Sequence, residues 1–195
     1  MSRRFIPNIL TITRILMTPL FLYYLLNDGQ HNKLFALVIF IVASVTDIFD
    51  GKYARKHGLV TKLGIFLDPL ADKLLVLSAF VSFWMTGQVM LWMLILIAFR
   101  DALVTVLRMV MEYKGITMIT SKLGKWKTAV QITVIHIILV YLLIQSYDMG
   151  HYITFMTEFR IIYFLSAITA LITAYTGIHY FYYNFRTLKL LFLKK

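Results

Sequence analysis

Four aspartates, Asp47, Asp50, Asp68 and Asp72, fall within 26 residues of a chain that has only nine acidic residues in all. Such a concentration of carboxylates requires a cation. Asp47 and Asp50 stand three apart and Asp68 and Asp72 four apart, spacings that put each pair on one face of a helix. Two such helices facing each other would build a four-carboxylate cage. Carboxylate oxygens are hard ligands suited to Mg²⁺ or Mn²⁺, and a cage of this kind also takes ligands from water or a substrate phosphate. The sequence has no cysteine, so thiolate metal sites, disulfides and cysteine nucleophiles are excluded.

The elements that would carry the cage are membrane helices. A length of 195 residues with 60% hydrophobic and only 15% charged residues lies outside the usual range of soluble domains. It predicts an all-α, polytopic integral membrane protein forming one membrane-embedded domain over residues 1–195. Residues 2–13, with Phe5, Ile6, Ile9 and Leu10 at helical spacing, suit a short helix lying in the headgroup layer. A first span follows to Leu26, with Arg14 near its inner end where a long side chain can snorkel. The second begins near Lys33, and its charge-free part ends at Thr46. That is short of the roughly 20 residues a span needs, so the helix must continue through Asp47 and Asp50.

The third span runs from Leu63 to Thr86, carrying Asp68 and Asp72 in its first turns and Pro69, which can kink or start it. The fourth covers Val89 to Met111, with Arg100, Asp101 and Arg108. The fifth covers Thr128 to Tyr147, and the sixth Arg160 to Phe185. Residues 51–62 and 114–127 are basic links.

Lys and Arg concentrate at both termini and in the two links, and are sparse in the alternate turns. This asymmetry places both termini in the cytoplasm and requires an even number of spans, which six satisfy. Under that topology the four acids, the Arg100/Asp101/Arg108 group and the loop lysines all lie on the inner side. Arg3 and Arg4 ahead of an apolar stretch imitate a signal peptide, but Asn27, Asp28 and Gly29 lack the small-residue cleavage pattern, so a retained span is expected. The net charge of +11 sits between apolar runs and not along one polar face. It therefore reads as affinity for anionic lipid and anionic substrate, with no nucleic-acid partner.

The spacing Asp-x₂-Asp-Gly-x₂-Ala-Arg-x₈-Gly-x₃-Asp-x₃-Asp is met by Asp47, Asp50, Gly51, Ala54, Arg55, Gly64, Asp68 and Asp72. It resembles the signature of the CDP-alcohol phosphatidyltransferase family. Three further features resemble the branch of that family that makes phosphatidylglycerophosphate: Pro7-Asn8-Ile9-Leu10-Thr11 with Arg14, Arg100-Asp101 with Arg108, and Ser121-x₂-Gly124-Lys125-x-Lys127-Thr128. From Thr128 onward the likeness is one of hydropathy alone.

The resemblance implies a six-helix membrane enzyme and a homodimer, while length and the lack of a transit peptide favour a bacterial inner membrane and loop charge puts the active site on its cytoplasmic side. Its reaction would transfer the phosphatidyl group of CDP-diacylglycerol to an alcohol and release CMP, using two divalent cations, Mg²⁺ or Mn²⁺. Carried over by position, Asp47, Asp50, Asp68 and Asp72 are metal ligands, and Asp72 is also the general base. Asn8, Thr11, Gly51, Arg55 and Gly64 belong to the CDP-diacylglycerol site. Elementary chemistry agrees: Gly51 lets a nucleotide approach the backbone, Arg55 offers a planar fork for a phosphate, and partial desolvation of Asp72 suits a base. Arg100, Arg108, Lys122, Lys125 and Lys127 outnumber what CDP requires. They point to a phosphorylated acceptor, glycerol 3-phosphate, with phosphatidylglycerol, serine and inositol phosphate as alternatives.

Bland readings stand beside these. The acids could form a salt-bridge cluster with Lys52, Arg55, Lys62 and Lys73, although ion pairs do not require a fixed spacing. They could instead line the path of a small cation transporter, which leaves Gly51, Arg55 and Gly64 without a role. Either Asp101 orients a loop lysine while Arg100 points to substrate, or both form interhelical pairs. His57 is expected in solvent, His136 and His179 as hydrogen-bonded bundle residues, and the Tyr180–Phe185 run as an interfacial aromatic belt. Thr120 or Ser121 is the expected cap of the helix that follows.

Overall fold

A computed structural model describes residues 6–57, 62–114, 122–185 and 189, with side chains described except at 6–10, 47–57, 62–69, 72, 112, 122, 123 and 125. Among the described residues there are seven α-helices and no strand. Helix α1 is Ile6–Leu26, α2 Asn32–His57, α3 Lys62–Met85, α4 Leu91–Tyr113 and α5 Lys122–Ser146. A 3-10 turn, Gly150–Ile153, leads into the short α6, Thr154–Glu158, and α7 is Ile161–Tyr183.

Several boundaries differ from the sequence expectation. Nothing between Thr11 and Arg14 breaks a helix, so α1 runs from Ile6 to Leu26 without interruption, and among the described residues no separate interfacial helix precedes the first span. Helix α3 begins seven residues before Pro69, so that proline does not start it. Both basic links are shorter than expected, because α2 extends to His57 and α5 already begins at Lys122. Lys122, Lys125 and Lys127 are therefore helical residues. The expected continuation of α2 through Asp47 and Asp50 is present. The candidate caps Thr120 and Ser121 lie outside the described residues.

The six long helices close into a ring. Helix α1 packs on α2, α2 on α5, α5 on α7, α7 on α4, α4 on α3, and α3 returns to α1, with α3 and α5 also touching across the middle. Phe21, Phe40, Phe80, Phe83, Met93, Ile97, Ile135 and Ile138 fill the interior. Phe40 illustrates the packing: its ring lies 5.5 Å from Phe21 of α1 and 5.2 Å, edge-on, from His136 of α5.

Turn chemistry holds the ends. Lys33 Nζ donates to the carbonyls of Leu25 (2.6 Å) and Asn27 (3.3 Å), satisfying acceptors that the end of α1 leaves open. Gly87 takes φ +76° between α3 and α4, a left-handed conformation that glycine adopts without steric cost.

Helix α7 has an inverted polarity. Ser166, Thr169, Thr173, Thr176 and Gly177 face inward and are buried, whereas Phe164, Ile168, Leu171, Tyr175 and Ile178 are exposed. Small polar residues inside and large apolar ones outside is the pattern of a helix whose outer medium is lipid. Helix α4 likewise exposes Ile95, Phe99 and Val106. Among the described residues, Trp126–Ser146 and Ile161–Tyr183 are long and apolar enough to cross a membrane, and Thr11–Leu26, Asn32–Thr46 and Lys73–Met85 are shorter apolar stretches.

Phe40→Ala removes contacts with two neighbouring helices and is expected to cost about 3 kcal/mol. Phe164→Ala, on the outer face of α7, should change stability by less than about 0.5 kcal/mol. Unfolding in lipid–detergent micelles measures both, and equal losses would contradict the assignment of inner and outer faces.

Candidate functional site

The motif residues fall on two helices. Asp47, Asp50, Gly51, Ala54 and Arg55 lie on α2, and Gly64, Asp68 and Asp72 on α3. Because both segments are helical, Asp47 and Asp50 are separated by about 4.5 Å of rise, and Asp68 and Asp72 by about 6 Å. The four aspartate side chains, and those of Arg55 and His57, lie outside the described residues. Helix α1, which carries Asn8 and the buried Thr11, packs on both α2 and α3.

What the structure describes in atomic detail is a buried charge cluster that Lys73 joins from the middle of α3. Asp101 of α4 has no exposed surface. Its Oδ1 accepts a hydrogen bond from Lys127 Nζ of α5 and one from Arg100 at 3.2 Å. Lys73 Nζ of α3 lies 3.6 Å from its Oδ2. Gln131 of α5 donates to Oδ2 at 3.4 Å, and its amide nitrogen is also 3.4 Å from Thr173 Oγ1 of α7. One carboxylate thus gathers groups from α3, α4 and α5, and Gln131 links the cluster to α7.

Of the two readings open for Arg100 and Asp101, the structure combines parts of both: Asp101 holds Lys127, and it does so as an interhelical pair. Lys127 is nearly as buried as Asp101, so it acts through the cluster and not as a free ammonium. Among the described residues, three basic side chains surround one carboxylate, an excess of basic over acidic groups. In a dry interior such an excess favours an anion. Arg100 Nε and Arg108 Nε are buried and find no hydrogen-bond partner among the described residues, so both arginines keep donor capacity. The side chains of Lys122 and Lys125 lie outside the described residues.

Sequence reasoning placed Lys73 only as a partner for the motif acids, and it missed Gln131 and Thr173. A signal existed for Gln131. It is a polar residue in a charge-free span, four residues after Lys127 and so on the same helix face. His136 is the expected bundle residue, its Nδ1 2.8 Å from the Ile132 carbonyl. His179 stacks on Tyr183 with ring centroids 5.8 Å apart, but its buried Nδ1 lacks a partner among the described residues.

Residues 4–178 match the CDP-alcohol phosphatidyltransferase family. Over 129 residues, 65% of this chain, the sequence is 42% identical to a protein of Mycobacterium tuberculosis (strain CDC 1551 / Oshkosh) named "Probable phosphatidylglycerophosphate synthase". It is 38% identical over 148 residues to the CDP-diacylglycerol–glycerol-3-phosphate 3-phosphatidyltransferase of Bacillus subtilis (strain 168), covering 70% of this chain and 77% of that protein. A protein of the same name from Cereibacter sphaeroides is 39% identical over 140 residues, covering 68% of this chain and 62% of the relative. The chain spans 61% of the length of the mycobacterial relative.

Asp101→Asn would leave the buried Lys127 and the half-buried Lys73 and Arg100 without their counter-charge and should cost about 3–5 kcal/mol. Lys127→Met should cost clearly less, because Asp101 keeps Lys73 and Arg100. Chemical unfolding in micelles compares the two, and equal losses would show that Asp101 is not the centre of the cluster.

Proposed function

Because the chain belongs to the CDP-alcohol phosphatidyltransferase family, we propose that it transfers the phosphatidyl group of CDP-diacylglycerol to glycerol 3-phosphate, giving phosphatidylglycerophosphate and CMP. The relatives' names support the acceptor. The observation that carries the reading to this chain is the excess of basic over acidic groups among the described residues around Asp101, whose member Lys73 directly follows Asp72. A phosphomonoester carries about −1.5 to −2 at neutral pH, which complements that excess. Serine brings no phosphate and would leave it unbalanced. A cation transporter has no use for such a cluster, and the family match gives that alternative no ground.

The donor set of the motif fits divalent cations: four hard carboxylates, paired at helical spacing on α2 and α3. Asp47, Asp50, Asp68 and Asp72 would hold two of them, Mg²⁺ or Mn²⁺. When bound, such ions neutralise charge on the phosphoryl oxygens. The protein's own groups do the rest. Asp72 takes the proton of the acceptor hydroxyl as its oxygen attacks the phosphorus bearing diacylglycerol, and the bond from that phosphorus to the CMP oxygen breaks. Asn8, Thr11, Gly51, Arg55 and Gly64 serve the CDP-diacylglycerol side. Arg100, Arg108, Lys122, Lys125 and Lys127 serve the acceptor phosphate, Lys127 through its pairing with Asp101.

The whole chain, 1–195, is one membrane domain in this reading, with α1 to α5 and α7 as six spans and α6 as a surface helix. Loop charge supports cytoplasmic termini and a cytoplasmic active site. The protein works as a homodimer in the bacterial inner membrane.

Purified protein in lipid should release CMP from CDP-diacylglycerol with glycerol 3-phosphate and Mg²⁺ or Mn²⁺, and release should stop on chelation. Equal release with serine would overturn the acceptor assignment. Asp72→Asn should lower turnover by about 10²–10⁴-fold while stabilisation by CMP and Mn²⁺ persists in a thermal shift. Turnover near that of the unaltered protein would remove Asp72 as the base.

A further inference from the structure

Helix α7 lies beyond every motif that carries the family resemblance, yet two of its buried residues, one turn apart, stand against the charge cluster. Thr173 reaches it through Gln131. Gly177 reaches it by what it lacks. A Cβ added at 177 would stand 2.8 Å from Arg100 Cγ, 3.6 Å from its Nε and 3.8 Å from its Cδ. Those three nearest atoms belong to one side chain and none is backbone. The glycine therefore does not serve the close backbone approach for which membrane helices commonly use small residues. It clears a slot for the stem of an arginine.

Cγ is the near end of that stem, so a clash there cannot be relieved by swinging the guanidinium. It requires another rotamer of the whole side chain. Arg100 lies within the bundle with only 12% of its side chain exposed, and its Nη1 is 3.2 Å from Asp101 Oδ1. Its Nε has no hydrogen-bond partner among the described residues. Glycine is also the poorest helix former after proline, and it stands here well inside α7. The slot gives it a packing reason.

We propose that Gly177 is a positioning residue for acceptor recognition: by leaving room for the Arg100 stem it aims the guanidinium at the phosphate of the acceptor. The inference rests on the reading of Arg100 as an acceptor-phosphate ligand. Any side chain at 177 displaces the fork without changing the charge of the cluster, so the effect falls on phosphate binding and not on the nucleotide side formed by α2 and α3. The segment after Thr128 thereby shapes the choice of acceptor although it contains no family motif.

A double-mutant cycle in lipid nanodiscs tests this. Gly177→Ala should raise KM for glycerol 3-phosphate about tenfold, as expected for one lost charge-assisted hydrogen bond, with kcat and KM for CDP-diacylglycerol within about twofold. In an Arg100→Ala background the same change should leave glycerol 3-phosphate affinity unaltered, measured by calorimetry where turnover is too slow. The thermal midpoint supplies a readout independent of activity. Gly177→Ala should lower it when Arg100 is present and raise it when Arg100 is alanine, because the slot is then vacant and alanine favours the helix. An unchanged KM in the single variant, or equal effects in both backgrounds, overturns the inference. Failure of the parent reading is seen separately, as no CMP release from the unaltered protein with glycerol 3-phosphate, and the sign of the thermal shift still decides the slot.

Discussion

Charge inside a helical bundle persists only where opposite charge and hydrogen bonds surround it, because neither packed side chains nor lipid tails solvate an ion. Asp101 meets that demand for Lys73, Arg100 and Lys127. The pairing also binds α3, α4 and α5 to one another at a single level, and Gln131 with Thr173 extends the tie to α7. In the proposed function, stability and recognition share one set of atoms. The carboxylate that makes the buried Lys127 and its half-buried neighbours tolerable leaves basic groups in excess among the described residues, and in the proposed function that excess receives a phosphate.

The surrounding helices follow from the same constraint. Helix α7 turns Ser166 and its threonines inward, and two of the hydroxyls bond to carbonyls of the preceding turn, Thr169 to Leu165 at 2.7 Å and Thr176 to Thr173 at 2.8 Å. Its aromatic and aliphatic residues face outward. A core of small polar side chains would be poor in water, where apolar burial drives folding. In lipid no such drive separates the two faces, and small residues allow close packing. Gly177 extends this logic, since it admits a long cationic side chain between α4 and α7.

The described charge cluster and the motif acids adjoin along α3. Lys73 belongs to the cluster and Asp72 to the motif, and adjacent residues on a helix point about 100° apart. In the proposed reaction one turn of α3 would therefore serve two purposes, metal binding through Asp72 and the acceptor's charge through Lys73. In the proposed reaction the base and the cationic end of the acceptor site are then held by the same rigid element. That is the kind of preorganisation an in-line displacement requires.

How much could be read from the chain alone depended on sequence separation. The pairing of the aspartates was legible because each pair is three or four residues apart, and the helices α2 and α3 convert that spacing into shared direction without help from the rest of the fold. The all-helical, membrane-embedded character was legible because composition and hydropathy are sums over the chain, and the continuation of α2 through Asp47 and Asp50 followed from the length a span needs. Helix starts were misjudged where lysines begin α5, since a charge reads as a link until a buried partner is known to receive it. The partners of Asp101 lie 26 and 30 residues away, and Gln131 meets Thr173 across 42. No periodicity spans such distances. Local spacing by itself determined that the motif aspartates fall in helical pairs, and composition determined the all-helical, apolar character. Which lysine enters the interior, which arginine keeps a free donor, and why residue 177 is glycine were decided only when four helices came together, because those are properties of the space between helices and not of any one of them.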